Sequence, residues 1–227
     1  MDRGVGISYE GSAPPHTGTT IVACTYDGGV VLGADSRVST GTYVSNRASD
    51  KITALSEMVW LLRSGSAADT QAVADYVRYF TEQHEMQLQQ QPSVKTVANL
   101  VRQMNYEYKA NLVGAMIVAG WDAHEGGQVW GCPIGGTLVQ ERWTTDGSGS
   151  TFIWGYLESE YRDGMSREEA EAYVAEALAL AMSRDGSSGG VIRLVTVNKD
   201  GAHRRLIKPQ EHPTFWDELP EPAGMVV

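Results

Sequence analysis

The chain has 227 residues, 42% of them hydrophobic and 20% charged, which predicts one globular domain large enough to bury a core. Its net charge of −10 argues against a nucleic-acid partner, because binding to phosphate backbones requires clustered Lys and Arg side chains, and it leaves polypeptide as the better candidate for a polymeric substrate. No run approaches the roughly 18 apolar residues of a membrane span, and Cys24 and Cys132 are too few for a disulfide framework.

Residues 1–18 mix Gly and Ser with a Pro-Pro pair and have no apolar period, which predicts a flexible leader. This segment also lacks the apolar region of a secretory signal, so we expect the protein to stay inside the cell. The folded domain is therefore predicted to begin at Thr19.

Two β-rich runs then flank Asp27-Gly28, a dipeptide that strongly favours a two-residue hairpin turn. Counting outward from this turn brings Thr20 opposite Asp35. The hairpin therefore predicts that the Asp35 carboxylate lies close to Thr19.

A strand at residues 57–63 is predicted to run into a helix, in which Ser66 and Asp69 stand at capping spacing. A second helix is predicted from Ser93 to about Tyr108, after the QQQP breaker. The predicted apolar stripes are Val73, Val77, Phe80 and His84 in the first helix, and Val94, Val97, Val101 and Tyr108 in the second.

Short β-rich runs separated by Gly-rich turns follow and predict a second sheet. These runs are GAMIVAGW (114–121), QVWGC (128–132), GTLVQERW (136–143) and STFIWGY (150–156). The clearest helix extends from Ser166 to Arg184, with Glu169 at capping-box spacing and one side formed by Tyr173, Ala177, Leu180 and Ala181. With a last strand at 191–197, the pattern predicts an α/β sandwich of two sheets covered by helices.

Familiar hydrolase motifs are absent from the sequence. The five histidines never fall at HExxH spacing and no GxSxG elbow occurs, so neither a zinc protease nor an α/β-hydrolase is supported. The glycine clusters match neither phosphate-loop pattern and predict tight turns. A histidine-dependent triad stays open on the sequence alone, although each histidine is better explained as a surface or core residue.

The informative point is Gly18-Thr19-Thr20, where the leader meets the first strand. A threonine hydroxyl is a poor nucleophile without a base, and a free α-amino group on the same residue can serve as that base. The α-amine has a reference pKa of about 7.7 to 8.0, so part of it is neutral near pH 7. Cleavage after Gly18 would expose this amine at Thr19, although the same residues could simply start a strand.

Several stretches together resemble the proteasome beta-subunit pattern, in order, from Thr17 to about Val197, and most closely its caspase-like type. They are TGTTIVACTYDGGVVLGADSRVSTG, NRASDKI, RSGSAADTQAVADYVRY, GGQVWGCPIGG, GSGSTFIWGY and ALAMSRDGSSGGVIRL. The resemblance implies an N-terminal nucleophile hydrolase fold, a four-layer αββα sandwich. It also implies a stacked-ring assembly with other alpha and beta subunits, unfolded polypeptide as substrate, no cofactor or metal, and a location in cytoplasm and nucleus.

The resemblance also implies roles for single residues. Thr19 matches the nucleophile, and Asp35 and Lys51 match the catalytic aspartate and lysine, the lysine favouring deprotonation of the hydroxyl. Gly65 matches the backbone donor of the oxyanion hole. The supporting polar cluster around the threonine amine is matched by Ser148, Asp185 and Ser188.

Arg63 matches the residue that recognises an acidic side chain, because a guanidinium pairs well with a carboxylate. The other pocket-lining positions are Val38, Ser39, Ser49, Thr53 and Ala67. An alternative for Arg63 is a salt bridge between subunits. One departure stands out: Asp146 precedes GSGS where the family more often has Gly, which affects the charge of the loop near Ser148.

The prediction is therefore a threonine endopeptidase that cleaves after acidic residues. A propeptide of residues 1–18 is removed autocatalytically between Gly18 and Thr19, leaving a single domain of residues 19–227. Its extension from about Pro209 is predicted to be an extended arm over a neighbour or an unstructured end. The alternatives are a non-catalytic ring-building subunit, another N-terminal nucleophile amidohydrolase, and a binding module without chemistry.

Overall fold

The structure is a computed structural model that describes residues 18–215. In chain order its strands are β1 (Ile21–Tyr26), β2 (Gly29–Ala34), β3 (Val38–Thr40), β4 (Tyr43–Asn46), β5 (Ile52–Ala54), β6 (Val59–Gly65), β7 (Gly114–Asp122), β8 (Gly126–Cys132), β9 (Val139–Glu141), β10 (Trp143–Asp146), β11 (Ile192–Asn198) and β12 (Gly201–Ile207). The helices are α1 (Ala67–Leu88), α2 (Val94–Glu107), α3 (Trp154–Glu160) and α4 (Arg167–Arg184).

Two five-stranded antiparallel sheets form the centre of the fold. The first has the strand order β10-β1-β2-β11-β12, and the second has the order β5-β6-β7-β8-β9. A separate two-stranded ribbon is formed by β3 and β4. Within the first sheet, Ile21 pairs with Ala34, which confirms the predicted hairpin register.

Three clusters of buried apolar side chains pack between the layers. One lies between the two sheets and includes Leu32, Leu62 and Ile117. A second packs α1 and α2 on the second sheet, and a third packs α3 and α4 on the first sheet. The layers therefore follow the order helices, sheet, sheet, helices, and the predicted αββα sandwich is confirmed.

The helix boundaries follow from their caps. The side chains of Ser66, Ser93 and Ser166 each accept a hydrogen bond from a backbone N–H in the first turn of α1, α2 and α4. In α4 the Glu169 side chain also accepts from the backbone N–H of Ser166, which completes the predicted capping box. None of the helices within residues 18–215 combines the length and apolar character that a membrane span requires.

Two predicted strands differ in the structure. Residues 150–156 belong to a 3-10 turn and the start of α3, because Ile153 and Leu157, four residues apart, are both fully buried at helical spacing. The run 136–143 is divided, with β9 in the second sheet and β10 beginning at Trp143 in the first. Strand β12 was not predicted because its middle residues are exposed and polar.

Two aromatic residues lie on the opposite side from the prediction. Phe80 is exposed, and the buried face of α1 ends with Thr81 instead, four residues after Val77. Tyr108 is also exposed because it follows the end of α2, and Asn105 takes the inward position. The prediction used apolar character alone and therefore placed these two aromatic residues on the buried faces of α1 and α2.

The predictions for the two ends fall mostly outside the described residues. Residues 1–17 of the predicted leader and residues 216–227 of the predicted arm are not described. A 3-10 turn occupies Pro209–Glu211, and Phe215 packs on the cluster beneath α4. The described start of the extension therefore contacts the body of its own chain.

Candidate active site

The hairpin of β1 and β2 places Asp35 next to Thr20, the residue after Thr19. The Asp35 backbone N–H donates to the Thr20 carbonyl oxygen at 3.2 Å, and the Thr20 N–H donates to the Asp35 Oδ1 atom at 2.9 Å. The other carboxylate oxygen accepts from the backbone N–H groups of Arg37 at 3.1 Å and Gly189 at 3.0 Å. The fully buried carboxylate is thus held in one orientation by three backbone donors.

Lys51, immediately before β5, completes a buried ion pair with Asp35. Its Nζ atom lies 2.7 Å from Asp35 Oδ1, 3.0 Å from Thr19 Oγ1 and 3.2 Å from the Gly18 carbonyl oxygen. An ammonium group has three hydrogens, so each has an acceptor. Burial lowers the pKa of Lys51, and the Asp35 carboxylate opposes that shift.

Thr19 lies at the centre of the site with only 3% of its surface exposed. Its hydroxyl donates to the carbonyl oxygen of Gly18 at 2.7 Å, so the predicted nucleophile is in contact with the preceding peptide group. Gly18 packs so tightly that a Cβ atom there would collide with the side chain of Ser187. The predicted cleavage point therefore tolerates only glycine without rearrangement.

A chain of hydroxyl groups approaches Thr19 from the side opposite Lys51. Ser148 Oγ accepts from the Thr19 N–H at 3.2 Å and donates to Asp185 Oδ2 at 2.6 Å. The Ser188 hydroxyl donates to the same carboxylate oxygen at 2.6 Å and lies 2.7 Å from Thr20 Oγ1. Since Ser188 gives its single hydrogen to the carboxylate, the Thr20 hydroxyl donates to Ser188.

Gly65 ends β6 directly before the cap of α1. Its φ is +94°, a left-handed conformation, and a Cβ atom there would lie 2.8 Å from the Val113 carbonyl oxygen. Glycine is therefore required by both backbone angle and space. Gly65 lines the same cavity as Thr19.

A small cavity of about 30 Å³ adjoins Thr19. It is lined by Thr19, Val38, Ser49, Lys51, Arg63, Gly65, Ala67 and Thr70. Two predicted lining residues do not reach it: Ser39 is buried in β3, and Thr53 instead accepts a hydrogen bond from Arg63 Nε at 3.1 Å. Thr70 was missed, although its position three residues after Ala67 places both on one helix face.

Neutral oxygen atoms surround the Arg63 guanidinium. Besides Thr53, it donates to Thr70 Oγ1 at 3.3 Å and to the carbonyl oxygens of Ala67 at 3.4 Å and Asp50 at 3.3 Å. Within residues 18–215 no carboxylate oxygen lies within ion-pair distance of Arg63. Burial lowers its pKa, and the carboxylates of Asp50 and Asp75, beyond ion-pair distance, oppose that shift.

Asp146 lies at the end of β10, next to the segment of β6 that contains Ser64 and Gly65. Its Oδ1 atom accepts from Ser64 Oγ at 2.7 Å and from the Gly147 N–H at 2.6 Å. The negative charge is therefore turned toward β6 and is held by two donors. Among the described residues, no cluster of three or more metal-binding side chains is present.

Comparisons with known proteins agree with this geometry. The family model described as "Proteasome subunit" matches residues 15–197. The chain belongs to the proteasome beta-subunit family. It is 51% identical to proteasome subunit beta type-6 of Arabidopsis thaliana, over 95% of this chain and 92% of the relative. It is 52% identical to the human subunit beta type-9, over 89% of this chain and 92% of that protein.

Membership in this family defines the assembly of the protein. Proteasome beta subunits join other alpha and beta subunits in stacked rings and act on polypeptides. The family consists largely of threonine hydrolases, but it also contains inactive members. Whether this chain is catalytic depends on the groups around Thr19.

Proposed function

We propose that this proteasome subunit is an active threonine endopeptidase whose nucleophile is Thr19. The observation that carries the proposal is the position of the Lys51 ammonium, 3.0 Å from Thr19 Oγ1 and 2.7 Å from Asp35. A cation at this distance stabilises the alkoxide that forms when the hydroxyl loses its proton. A subunit that only builds the ring has no need for a buried charge in contact with a hydroxyl.

The same contacts support activation by cleavage after Gly18. In the proposed step, Thr19 Oγ bonds to the Gly18 carbonyl carbon, the bond from that carbon to the Thr19 nitrogen breaks, and the hydroxyl proton passes to that nitrogen, which leaves an ester and a free Thr19 α-amine. Water then hydrolyses the ester, releasing the leader as a carboxylic acid and restoring the Thr19 hydroxyl. Lys51 Nζ, 3.2 Å from the Gly18 oxygen, stabilises the negative charge that develops there.

After cleavage the free amine can act as the base for its own side chain. It takes the proton from Thr19 Oγ as the hydroxyl attacks a substrate carbonyl, and later gives a proton to the departing amine. Ser148 already contacts the Thr19 nitrogen, so it is placed to orient the amine. Asp185 and Ser188 hold Ser148 through the shared carboxylate.

Substrate preference is proposed from Arg63. Its charge borders the cavity next to Thr19 and is surrounded by neutral oxygens. A substrate Asp or Glu side chain would supply a carboxylate in direct contact with the guanidinium, whereas an apolar side chain would leave the guanidinium desolvated. We therefore propose caspase-like specificity, meaning cleavage after acidic residues.

The catalytic proposal is tested with assembled particles in which the other beta active sites are inactivated. Amino-terminal sequencing of the purified subunit should begin at Thr19, and a peptide epoxyketone should label that residue. Thr19→Ala should abolish hydrolysis of acidic peptides at this site. A subunit that retains residues 1–18 in mature particles, or a Thr19→Ala particle with unchanged activity, would falsify the proposal.

Specificity is tested separately with peptides that end in Glu or Leu. The parent site should cleave the Glu peptide faster, and Arg63→Met should reverse that preference while Thr19 still reacts with the epoxyketone. Arg142→Met is the matched control, because Arg142 is an exposed arginine paired with Asp163. Faster cleavage of the Leu peptide by the parent would reject the preference for acidic residues without rejecting catalysis.

A further inference from the structure

The Asp146 carboxylate connects two segments that belong to different sheets. Its own strand, β10, pairs with β1 in the first sheet, and Asp146 lies opposite Ile21. Ser64, which donates to Asp146 Oδ1 at 2.7 Å, lies in β6 of the second sheet. The hydrogen bond therefore crosses from one sheet to the other beside the nucleophile.

Each end of this bond adjoins a residue of the site. Ser64 immediately precedes Gly65, which lines the cavity next to Thr19. On the other side, Asp146 Oδ1 also accepts from the Gly147 N–H, directly before Ser148. Small shifts of either segment would therefore move a group that contacts the reaction centre.

The turn after Asp146 fits closely around the backbone of Thr19. Gly147 has a φ of +94°, and a Cβ atom there would collide with the Thr19 carbonyl oxygen. The Gly149 N–H donates to that same oxygen at 3.2 Å. Holding the Gly147 N–H at 2.6 Å thus fixes the start of a turn that encloses the nucleophile.

The Ser64 hydroxyl has two acceptors within reach, Asp146 Oδ1 at 2.7 Å and the Ala115 carbonyl oxygen at 3.1 Å. The carboxylate is both closer and charged, so it is the stronger acceptor. Within residues 18–215, no cation lies within ion-pair distance of Asp146. Accepting hydrogen bonds is therefore the interaction that the structure gives this carboxylate.

We propose that Asp146 is a positioning residue, which sets the distance between the Gly65 side and the Ser148 side of the active site. This inference rests on the proposed function, because it concerns the geometry of the same catalytic centre. Asp146 does not contact the reacting atoms and acts through its neighbours Ser64 and Gly147. Both hydrogen bonds end on one oxygen atom, so a neutral amide oxygen at that place can accept both.

The test compares Asp146→Ala, Asp146→Asn and Ser64→Ala in complete particles with only this site active. Asp146→Ala should lower kcat for a Glu-ending peptide about tenfold while KM changes by less than about twofold, because misplaced groups weaken the transition state more than substrate binding. Asp146→Asn should recover most of this loss. Asp163→Ala, which removes an exposed carboxylate, is the matched control.

Ser64→Ala keeps the carboxylate and removes the bond between the sheets, together with the 3.1 Å contact of the hydroxyl with the Ala115 carbonyl oxygen. It should lower kcat to a similar degree, and the double variant with Asp146→Ala should be no slower than the worse single variant, because the two changes share the loss of the bond between Ser64 and Asp146. If Asp146→Ala particles fail to assemble, Ser64→Ala alone tests the positioning role of Asp146. Normal kcat in Ser64→Ala overturns the positioning role.

Two further outcomes overturn the inference. One is normal kcat in Asp146→Ala, and the other is an equal loss in Asp146→Asn and Asp146→Ala, which would assign the effect to charge. Epoxyketone labelling of the parent particle separates this failure from that of the proposed function. A parent that is not labelled at Thr19 rejects both, whereas a labelled parent with an unaffected Asp146→Ala variant rejects the positioning role alone.

Discussion

The two sides of Thr19 differ in chemistry and in depth. On one side, the Lys51 and Asp35 side chains form an ion pair with exposures of 7% and 0%. On the other side, hydroxyl groups lead from Thr19 to Asp185, and the first of them, Ser148, is exposed. The charged pair is thus shielded from water, whereas the hydroxyl chain begins at a residue that water can reach.

This difference indicates how replaceable each side is. A buried ion pair that loses one partner leaves the other charge without compensation, and no water molecule can take its place. A lost hydroxyl near the surface can be replaced by a bound water, which forms similar hydrogen bonds. We therefore expect variants on the charged side to have much larger effects than variants on the hydroxyl side.

The largest effect is expected for Lys51→Met. The variant loses the cation next to Thr19 Oγ1, so kcat of assembled particles should fall at least about 1,000-fold, the upper range for loss of an electrostatic stabiliser. It should also retain the leader, since the same cation contacts the Gly18 carbonyl. Mass spectrometry and peptide hydrolysis measure the two effects. Lys199→Met, at an exposed turn, is the control, and normal processing in Lys51→Met would contradict the role of the charge.

Asp35→Asn should be the next largest change, with kcat reduced about 100-fold. The carboxylate opposes the lowering of the Lys51 pKa by burial, so its removal lowers that pKa further. If charged Lys51 is the active form, activity is lost as pH rises through its pKa. The alkaline limb of the kcat profile should therefore move to lower pH in the variant. A limb that stays in place or moves to higher pH would contradict the assignment.

Ser148→Ala tests the hydroxyl side. Asp185 keeps the Ser188 hydroxyl as a donor, and a bound water can occupy the exposed place of the lost Ser148 hydroxyl, so kcat should fall only about fivefold, the value of one hydrogen bond. Ser183→Ala, on the exposed face of α4, is the matched control. A loss comparable with that of Asp35→Asn would show that the two sides are equally irreplaceable and would break the comparison.

The smallest effect is expected at Thr70, where a hydroxyl orients a charge. Thr70→Val keeps the volume but removes one acceptor of Arg63, so the ratio of rates for Glu and Leu peptides should fall about two- to threefold. Thr70→Ser keeps the hydroxyl and should retain the ratio of the parent. An unchanged ratio of Glu to Leu rates in Thr70→Val would show that Thr70 does not contribute to substrate specificity.

Local signals in the sequence explain most of what could be predicted. The Asp27-Gly28 turn and the alternation on either side define the hairpin register, so the approach of Asp35 to Thr19 could be counted from the turn. The serine caps likewise placed the starts of α1, α2 and α4. The approach of Lys51 came from the family resemblance, since the loop before β5 has no regular period from which a position can be counted.

Errors arose where burial depends on distant parts of the chain. Residues 150–156 have strand-like composition, but the cluster beneath α4 buries Ile153 and Leu157 and selects a helix. The contacts of Asp146 with Ser64 join residues 82 positions apart, and no local pattern indicates them. The family resemblance identified Asp146 only as an unusual residue at its position. Its contacts with Ser64 and Gly147 became visible only in the fold.

The Lys51 ammonium also gives the uncut chain a particular status. One of its three acceptors, the Gly18 oxygen, belongs to the segment that leaves when the proposed cleavage occurs. In the proposed mechanism, departure of that oxygen frees one ammonium hydrogen for the carbonyl oxygen of an incoming peptide. The subunit would then be its own first substrate, because the contact that held the leader becomes available to every later peptide.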